Sequence, residues 1–544
     1  NKGAPASGTD YQPFETVLSV NSTLILRTTG GRATNAALPY FNIAWPTPEQ
    51  GALLAIGWPG QWQAEFQRDH DLGLTISGGQ ETTKFTLRPG EEVRSPLVAF
   101  LQYEGDWLSG QNLWRRWMID HNLPRPEGKL PGTQLLACSS HQYSEMLEAS
   151  EENQKLFIDR YLEEGFPLAY WWMDAGWYRN DGTWQNTGTW EVDRQQFPSG
   201  LRTITDHARS KGVKSIVWFE PERVTTRSWL YDERPQWLLR APPNPGGLHY
   251  DNAWRLLNLG NPEALRWLIE HIDGLIKSEG IDLYRQDFNI APLEFWLAND
   301  RPDRQGITEI RYNEGYLAFW DALLQRNPGI RIDSCASGGR RNDLETLRRS
   351  VPLLRSDKLF EPRSQQNHTY GMSMWMPYYG TGTHIGKSLI GQAGSNVVDV
   401  YEFRSQMGPS VTACWDLRDE SLDYDTLRTL SAQLKRASPN YLGDYYPLSA
   451  YLRDDQTNGW MAWQWWRPEV GKGVVHAFRR EAAQDSRQSY RLHGLDPTAT
   501  YTIDNADHDA SYRKTGKELM EDGLQIELKD PRSAALVFYA QSPQ

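Results

Sequence analysis

Two aspartates 70 residues apart, Asp287 and Asp357, close apolar runs that read as buried strands, Ile281–Asn289 and Val351–Asp357. Two carboxylates facing one bond, one ionised and one protonated, are what cleavage of a glycosidic linkage requires. The departing oxygen must be protonated while positive charge at the sugar carbon is captured. Asp174, Glu220, Glu222 and Asp416 stand at the ends of further runs of this kind. Any one of the six could merely cap the helix that follows it. Six on one rim exceed what capping needs, and at least two are expected to be chemical.

Such residues converge only if their strands run side by side in one direction. Between residues 131 and 440 buried apolar strands alternate with amphipathic helices, the pattern of a parallel sheet with helical crossovers. The candidate strands are Thr133–Ser140, Pro167–Gly176, Val213–Glu222, Asp282–Asn289, Ile330–Gly338, Leu353–Asp357, Gly380–Ile385 and Ser410–Asp416. Eight units in a stretch of this size predict a (β/α)8 barrel, whose reacting groups sit where the strands finish. Ser150 before Glu151-Glu152 predicts a helix N-cap, and Asn261-Pro262-Glu263 puts proline at the first helical position with a carboxylate against the helix dipole.

On either side the periodicity is that of antiparallel strands. From Tyr11 to about Tyr103 short alternating segments are broken by turns, Lys84–Glu92 among them, and predict a β-sandwich. Trp107–His121 reads as a helix, and Pro124, Pro126, Gly128, Pro131 and Gly132 mark a linker. After about Leu442 the strands Trp460–Trp466, Gly473–Arg479, Ser489–Leu492 and Ala534–Tyr539 predict a small antiparallel β domain. The α/β fold expected is thus a (β/α)8 barrel (131–440) flanked by an N-terminal β-sandwich with its linker helix (1–130) and a C-terminal β-sandwich (441–544).

The chain carries 57 basic and 69 acidic side chains, a net charge of −12, which argues against a nucleic-acid partner. Its 24 Trp and 25 Tyr suit a neutral, sugar-like ligand, since flat rings stack on the C–H faces of sugars, although most of them must fill cores. Three cysteines, Cys138, Cys335 and Cys414, allow at most one disulfide and leave the redox compartment open. No run of 18 or more apolar residues occurs, so no membrane-spanning helix is expected. No CxxC pair, HExxH or P-loop occurs, so neither metal nor cofactor is expected. The sequence opens on Asn1 and not Met, which leads to the expectation of a removed leader or preceding sequence and of a secreted or periplasmic location. Oligomeric state leaves no trace in the sequence.

Four segments carry a family resemblance: Thr189–Asp193 with Phe197–Leu201, Val217–Glu222, Asn258–Ala264 and Ser334–Arg340. The chain resembles glycoside hydrolase family 36, the melibiase-type α-galactosidases. The resemblance implies a retaining, exo-acting hydrolase that releases a terminal α-linked galactose-like sugar from an oligosaccharide or glycoconjugate. It places Asp287 as nucleophile and Asp357 as general acid/base. It makes Asp174 an acceptor for sugar hydroxyls, Trp218 a pocket-lining ring, and Cys335 and Gly338 a small surface for close approach of the sugar. Trp172 is a further ligand candidate, with a core role as its alternative. Glu220, Glu222, Asp193, Asp343 and His384 are expected to be structural.

Two departures bear on the substrate. The family has consecutive aspartates where this chain has Asp174-Ala175, and a lysine where it has Arg285, whose planar fork differs from an ammonium. They put an α-N-acetylgalactosaminidase, or a transglycosidase of the same fold, beside α-galactosidase as an alternative. A non-catalytic carbohydrate-binding protein is the alternative from another class.

Overall fold

The computed structural model describes residues 1–47, 49–71, 73–242, 254–386 and 396–542. Seven parallel strands curl round a common axis: β1 (Gln134–Cys138), β2 (Leu168–Met173), β3 (Lys214–Phe219), β4 (Leu283–Gln286), β5 (Arg331–Ser334), β6 (Gly380–Ile385) and β7 (Ser410–Trp415). Their order, β5-β4-β3-β2-β1-β7-β6, leaves one gap, between β5 and β6. Residues 351–355 fill it. Val351 N–H donates to Ile332 O at 3.0 Å and Ser334 N–H to Val351 O at 3.1 Å, while on the other side Gly380 N–H donates to Pro352 O at 2.8 Å. The molecule is therefore a closed (β/α)8 barrel.

The expected strand Leu353–Asp357 is corrected here, since only Val351 bridges to Asp333. Pro352 has no N–H to give a ladder. The Leu353 N–H is spent on the Asp333 carboxylate, at 2.7 Å, instead of a backbone carbonyl.

The outer helices follow the strands: α1 (Glu151–Glu163), α2 (Arg202–Ser210), α3 (Pro262–Glu279), α4 (Ile307–Arg326), α5 (Leu344–Leu347), α6 (Pro362–Met372), α7 (Val400–Ser405) and α8 (Tyr424–Ala437). Ser150 caps α1 in a reciprocal box with Asn153, and Asn261 caps α3 ahead of Pro262. Alternation along the strands separates two apolar layers. Leu136, Tyr170, Trp172, Ile216, Leu283 and Leu353 fill the barrel. Ala137, Trp171, Val217, Tyr284 and Ile332 face the helices. The inward parity continues beyond the strands to Asp174 and Asp287.

Two three-stranded antiparallel sheets precede the barrel, Thr23–Arg27 with Trp62–Arg68 and Leu74–Gln80, and Tyr40–Pro46 with Glu49–Gly57 and Leu97–Glu104. The segment Lys84–Glu92 does not join them. Lys84–Phe85 pairs with Arg304–Gln305 of the barrel, and Arg304 holds Glu91 at 2.7 Å. Pro89, without an N–H, and Gly90 at φ +76° turn the chain away. The first residues also pack on the barrel: the Tyr11 hydroxyl donates to Arg355 O at 2.5 Å, and Asn1 Nδ2 donates to Gly371 O at 2.8 Å. After the barrel comes a six-stranded antiparallel sheet with a two-stranded companion, Arg487–Tyr490 and Leu524–Glu527.

Candidate active site

Asp287 follows β4 with its carboxylate pinned at one oxygen. Oδ1 accepts from the N–H of Phe288 at 2.7 Å and of Ser337 at 3.0 Å. Oδ2 has a single long donor, Trp218 Nε1, at 3.3 Å. Burial opposes ionisation of Asp287, yet the Arg285 charge and the N–H donors outweigh it and hold the carboxyl below its ordinary range. Ser337 reaches Asp287 from a left-handed backbone, φ +50°, a strain of about 1–3 kcal/mol for a residue with a Cβ. Its hydroxyl is tied down by donation to Asn289 Oδ1 at 2.8 Å.

Gly338, next in the chain, joins the second aspartate to the first. It is left-handed at φ +79°, and a Cβ there would lie 2.8 Å from the Asp357 nitrogen. Only glycine lets the turn that holds Asp287 press against the backbone of Asp357. The Asp357 side chain opens to solvent at the mouth of the barrel. Crowding by protein and the like charge of Asp287 push its pKa up to about 6, against the pull of Arg340 and Arg285. Since one side is open, desolvation is completed only when a ligand covers it. Behind it the Ser356 hydroxyl donates to Asp10 Oδ2 at 2.6 Å. Asp10 lies 346 residues away in the N-terminal segment and is itself pushed up to about 6 by burial.

Across the barrel mouth, Asp174 follows β2. Its Oδ2 accepts from Trp172 Nε1 at 2.7 Å and its Oδ1 from Ala175 N–H at 2.8 Å. Burial raises its pKa, opposed by Arg285. Cys335 is a buried thiol whose sulfur accepts from Gly338 N–H at 3.3 Å, and burial holds it protonated. Cys138 and Cys414 face each other unbridged on β1 and β7, 2.8 Å apart.

Three of the candidate ligand contacts already have protein partners. Trp172, Trp218 and Arg285 are 3%, 1% and 2% exposed, close to the 5% of Cys335 and the 9% of Asp287. Trp172 orients Asp174, and Trp218 sits behind Asp287. Arg285 pairs with Asp333 and lies over the Trp172 ring, its Cζ 4.2 Å from the centroid. The buried Arg285–Asp333 pair is a brace whose loss of one partner costs about 3–5 kcal/mol.

Glu220 is paired with Arg223 at 2.8 Å, and Glu222 is held by Gln286, Tyr312 and Arg341. Asp343 caps α5, Asp193 accepts from Gln195 N–H at 2.9 Å, and Asp416 grips Arg418 at 2.7 Å. His384 is not the satisfied histidine expected: its Nε2 has no hydrogen-bond partner among the described residues, with the His141 and Phe360 rings beside it. Sequence reasoning missed Asp333, Ser337, Asp10 and Glu145. Ser337 alone had a signal, its place inside Ser334–Arg340.

The arrangement is an ionised carboxylate with one under-used oxygen, a second carboxyl raised toward neutrality, and a third across the mouth. Such a set can attack an electrophilic carbon, protonate its leaving group and hold hydroxyls.

Residues 147–436, more than half the chain, match the family described as Melibiase, and residues 460–539 match the Glycosyl hydrolase family 36 C-terminal domain. An α-galactosidase of Escherichia coli is 26% identical over 394 residues, 69% of this chain and 52% of that protein. Mel36A of Lactobacillus acidophilus is 25% identical over 480 residues, 86% of this chain and 63% of that protein. The chain thus spans about half to two thirds of the length of these relatives. A family 36 α-galactosidase of Geobacillus stearothermophilus, crystallised with raffinose, shares the fold with a TM-score of 0.83 at 19% identity, over 96% of this chain and 72% of that one. An α-galactosidase of Lactobacillus brevis gives 0.81 at 18% identity, over 97% and 71%. The protein belongs to glycosyl hydrolase family 36, the melibiases.

Proposed function

We propose that the protein is a retaining, exo-acting α-galactosidase-type hydrolase, with Asp287 as nucleophile and Asp357 as general acid/base. The observation that carries this reading is the opposite tuning of the two carboxyls, one held ionised and one pushed up to about 6. An acid and a nucleophile are separated in this way when one pair must do both tasks.

In the first step Asp287 Oδ2 attacks the anomeric carbon, because Oδ1 is already occupied by two N–H donors. Asp357 gives its proton to the departing oxygen, and a glycosyl ester forms. In the second step Asp357, now ionised, takes a proton from water as that water displaces Asp287 and frees the sugar. Two inversions at one carbon return the original configuration. For this chemistry the carboxyl groups must come within roughly 5–5.5 Å of each other in the substrate complex.

The substrate we propose is an oligosaccharide or glycoconjugate ending in α-linked galactose, supported by the α-galactosidases among the relatives. We also propose that 1–130, 131–440 and 441–544 are the chain's domains, since antiparallel sheets give way to parallel ones and return near those boundaries. A set of aryl α-glycosides differing at carbons 2, 4 and 6 tests the reading. The α-galactoside is expected to be turned over, with the C4 epimer, the α-glucoside, at least about 100-fold poorer in kcat/KM, as for a site that hydrogen-bonds one hydroxyl. Preference for the α-N-acetylgalactosaminide would reassign the sugar, and no turnover of any member would sink the activity.

A further inference from the structure

Glu145 is unused in the mechanism, yet it stands in the same mouth. The turn after β1 lies against the turn after β2: Met146 N–H donates to Ala175 O at 2.8 Å. Ser144 and Glu145 are consecutive left-handed residues, φ +47° and +63°, so Glu145 sits in the turn that touches the Asp174-Ala175 turn, one residue before the contact. The carboxyl is half-buried. Burial and then the charge of Asp174 raise its pKa well above the ordinary range.

Two carboxyls on touching turns, each feeling the other's charge, cannot both ionise without cost. Arg285 decides which does, since its Nε lies 3.8 Å from Asp174 Oδ2. That enclosed Nε has no hydrogen-bond partner among the described residues, so its N–H is not spent on another acceptor. Asp174 becomes the ionised member and Glu145 the neutral one. Side by side, a neutral acid donates and a carboxylate accepts, which is the complement of a hydroxyl group.

The barrel order says which hydroxyl. Asp357 follows the sixth stave, between β5 and β6, and Asp287 follows β4; Asp174 follows β2, opposite Asp357. A pyranose with C1 at Asp287 and its leaving group toward Asp357 turns its C4/C6 edge toward β1 and β2.

We propose that Glu145 is a specificity-determining residue, its carboxyl forming with Asp174 a two-point grip on a hydroxyl at the C4/C6 edge of the terminal sugar. Glu145 supplies from the first βα turn a carboxyl that position 175 lacks. The inference rests on the activity proposed above.

The test compares wild type, Glu145→Ala and Glu145→Gln on aryl α-galactoside and on its 4-deoxy and 6-deoxy analogues. Glu145→Ala is expected to lose about tenfold to hundredfold in kcat/KM on the galactoside, the worth of one hydrogen bond to a charged or strongly polarised group. On the analogue lacking the gripped hydroxyl the loss shrinks to within about threefold. Glu145→Gln, which keeps a donor, retains most of the activity. Adding Ala175→Asp to Glu145→Ala recovers part of the loss. Equal losses on all three substrates, or no loss on any, would overturn the grip while leaving the activity standing. A wild type inert toward α-galactosides would overturn both. Should Glu145→Ala fail to fold, Glu145→Met, which keeps the bulk of the side chain and removes the donor, is read by the same comparison of the three substrates.

Discussion

Asp287→Ala is expected to lower kcat by on the order of 10⁴-fold or more, the scale seen when a covalent nucleophile is removed. Stability is predicted to fall as well, because the Arg285 charge and the N–H donors that hold Asp287 below its ordinary range lose their partner. The variant vacates the side of the sugar that Asp287 Oδ2 faces. A small anion such as azide can enter there, with Asp357 still able to protonate the leaving group. Azide is therefore expected to restore turnover of an activated aryl α-galactoside and to yield the β-galactosyl azide, one inversion in place of two. Rescue that gave the α-azide, or residual activity within about tenfold of wild type, would remove Asp287 from the nucleophile role.

Asp357→Ala comes second. Natural galactosides have poor leaving groups, and losing a positioned proton donor costs them roughly 10²–10⁴-fold. Aryl galactosides with acidic phenols scarcely need the proton and are expected to keep far more of their kcat/KM. Equal losses on both would show that Asp357 is not the acid. The same residue sets the basic limb of the pH profile. Activity needs Asp357 protonated, so kcat/KM in the free enzyme falls as pH rises through about 6. The acid limb lies below the ordinary carboxylate range, where Asp287 gains a proton. Asp287 and Asp10 push the Asp357 value up, and Arg340 and Arg285 pull it down. Asp10→Asn deletes one of the negative charges and is expected to move the basic limb to lower pH. Measuring kcat/KM for both proteins across pH 4–8 checks the sign.

The barrel was legible because inward and outward faces alternate along its strands, and Asp287, the proposed nucleophile, stood out because it continues the inward parity past a strand end. What the pattern cannot resolve is depth. Trp172 and Arg285 lie two residues before Asp174 and Asp287, and Trp218 lies two before Glu220. Same-face neighbours in a strand are about 6.6 Å apart, so a residue one layer down looks like a rim residue in the sequence. The two rings and the guanidinium hold carboxylates from that lower layer. The sixth stave failed at Pro352, where a missing N–H and a side-chain acceptor replace the ladder. Asp10 and Glu145 left no signal. Asp10 meets Ser356 across 346 residues, and Glu145 lies in a turn without periodicity, placed by a contact between two loops.

The central claim is a double displacement through Asp287, and proton NMR of the sugar first released from an α-galactoside tests it most directly. The account predicts the α-anomer at early times, with the β-anomer growing in only as mutarotation proceeds. Initial release of the β-anomer would mean that water, and not Asp287, attacks the sugar, and would contradict the account.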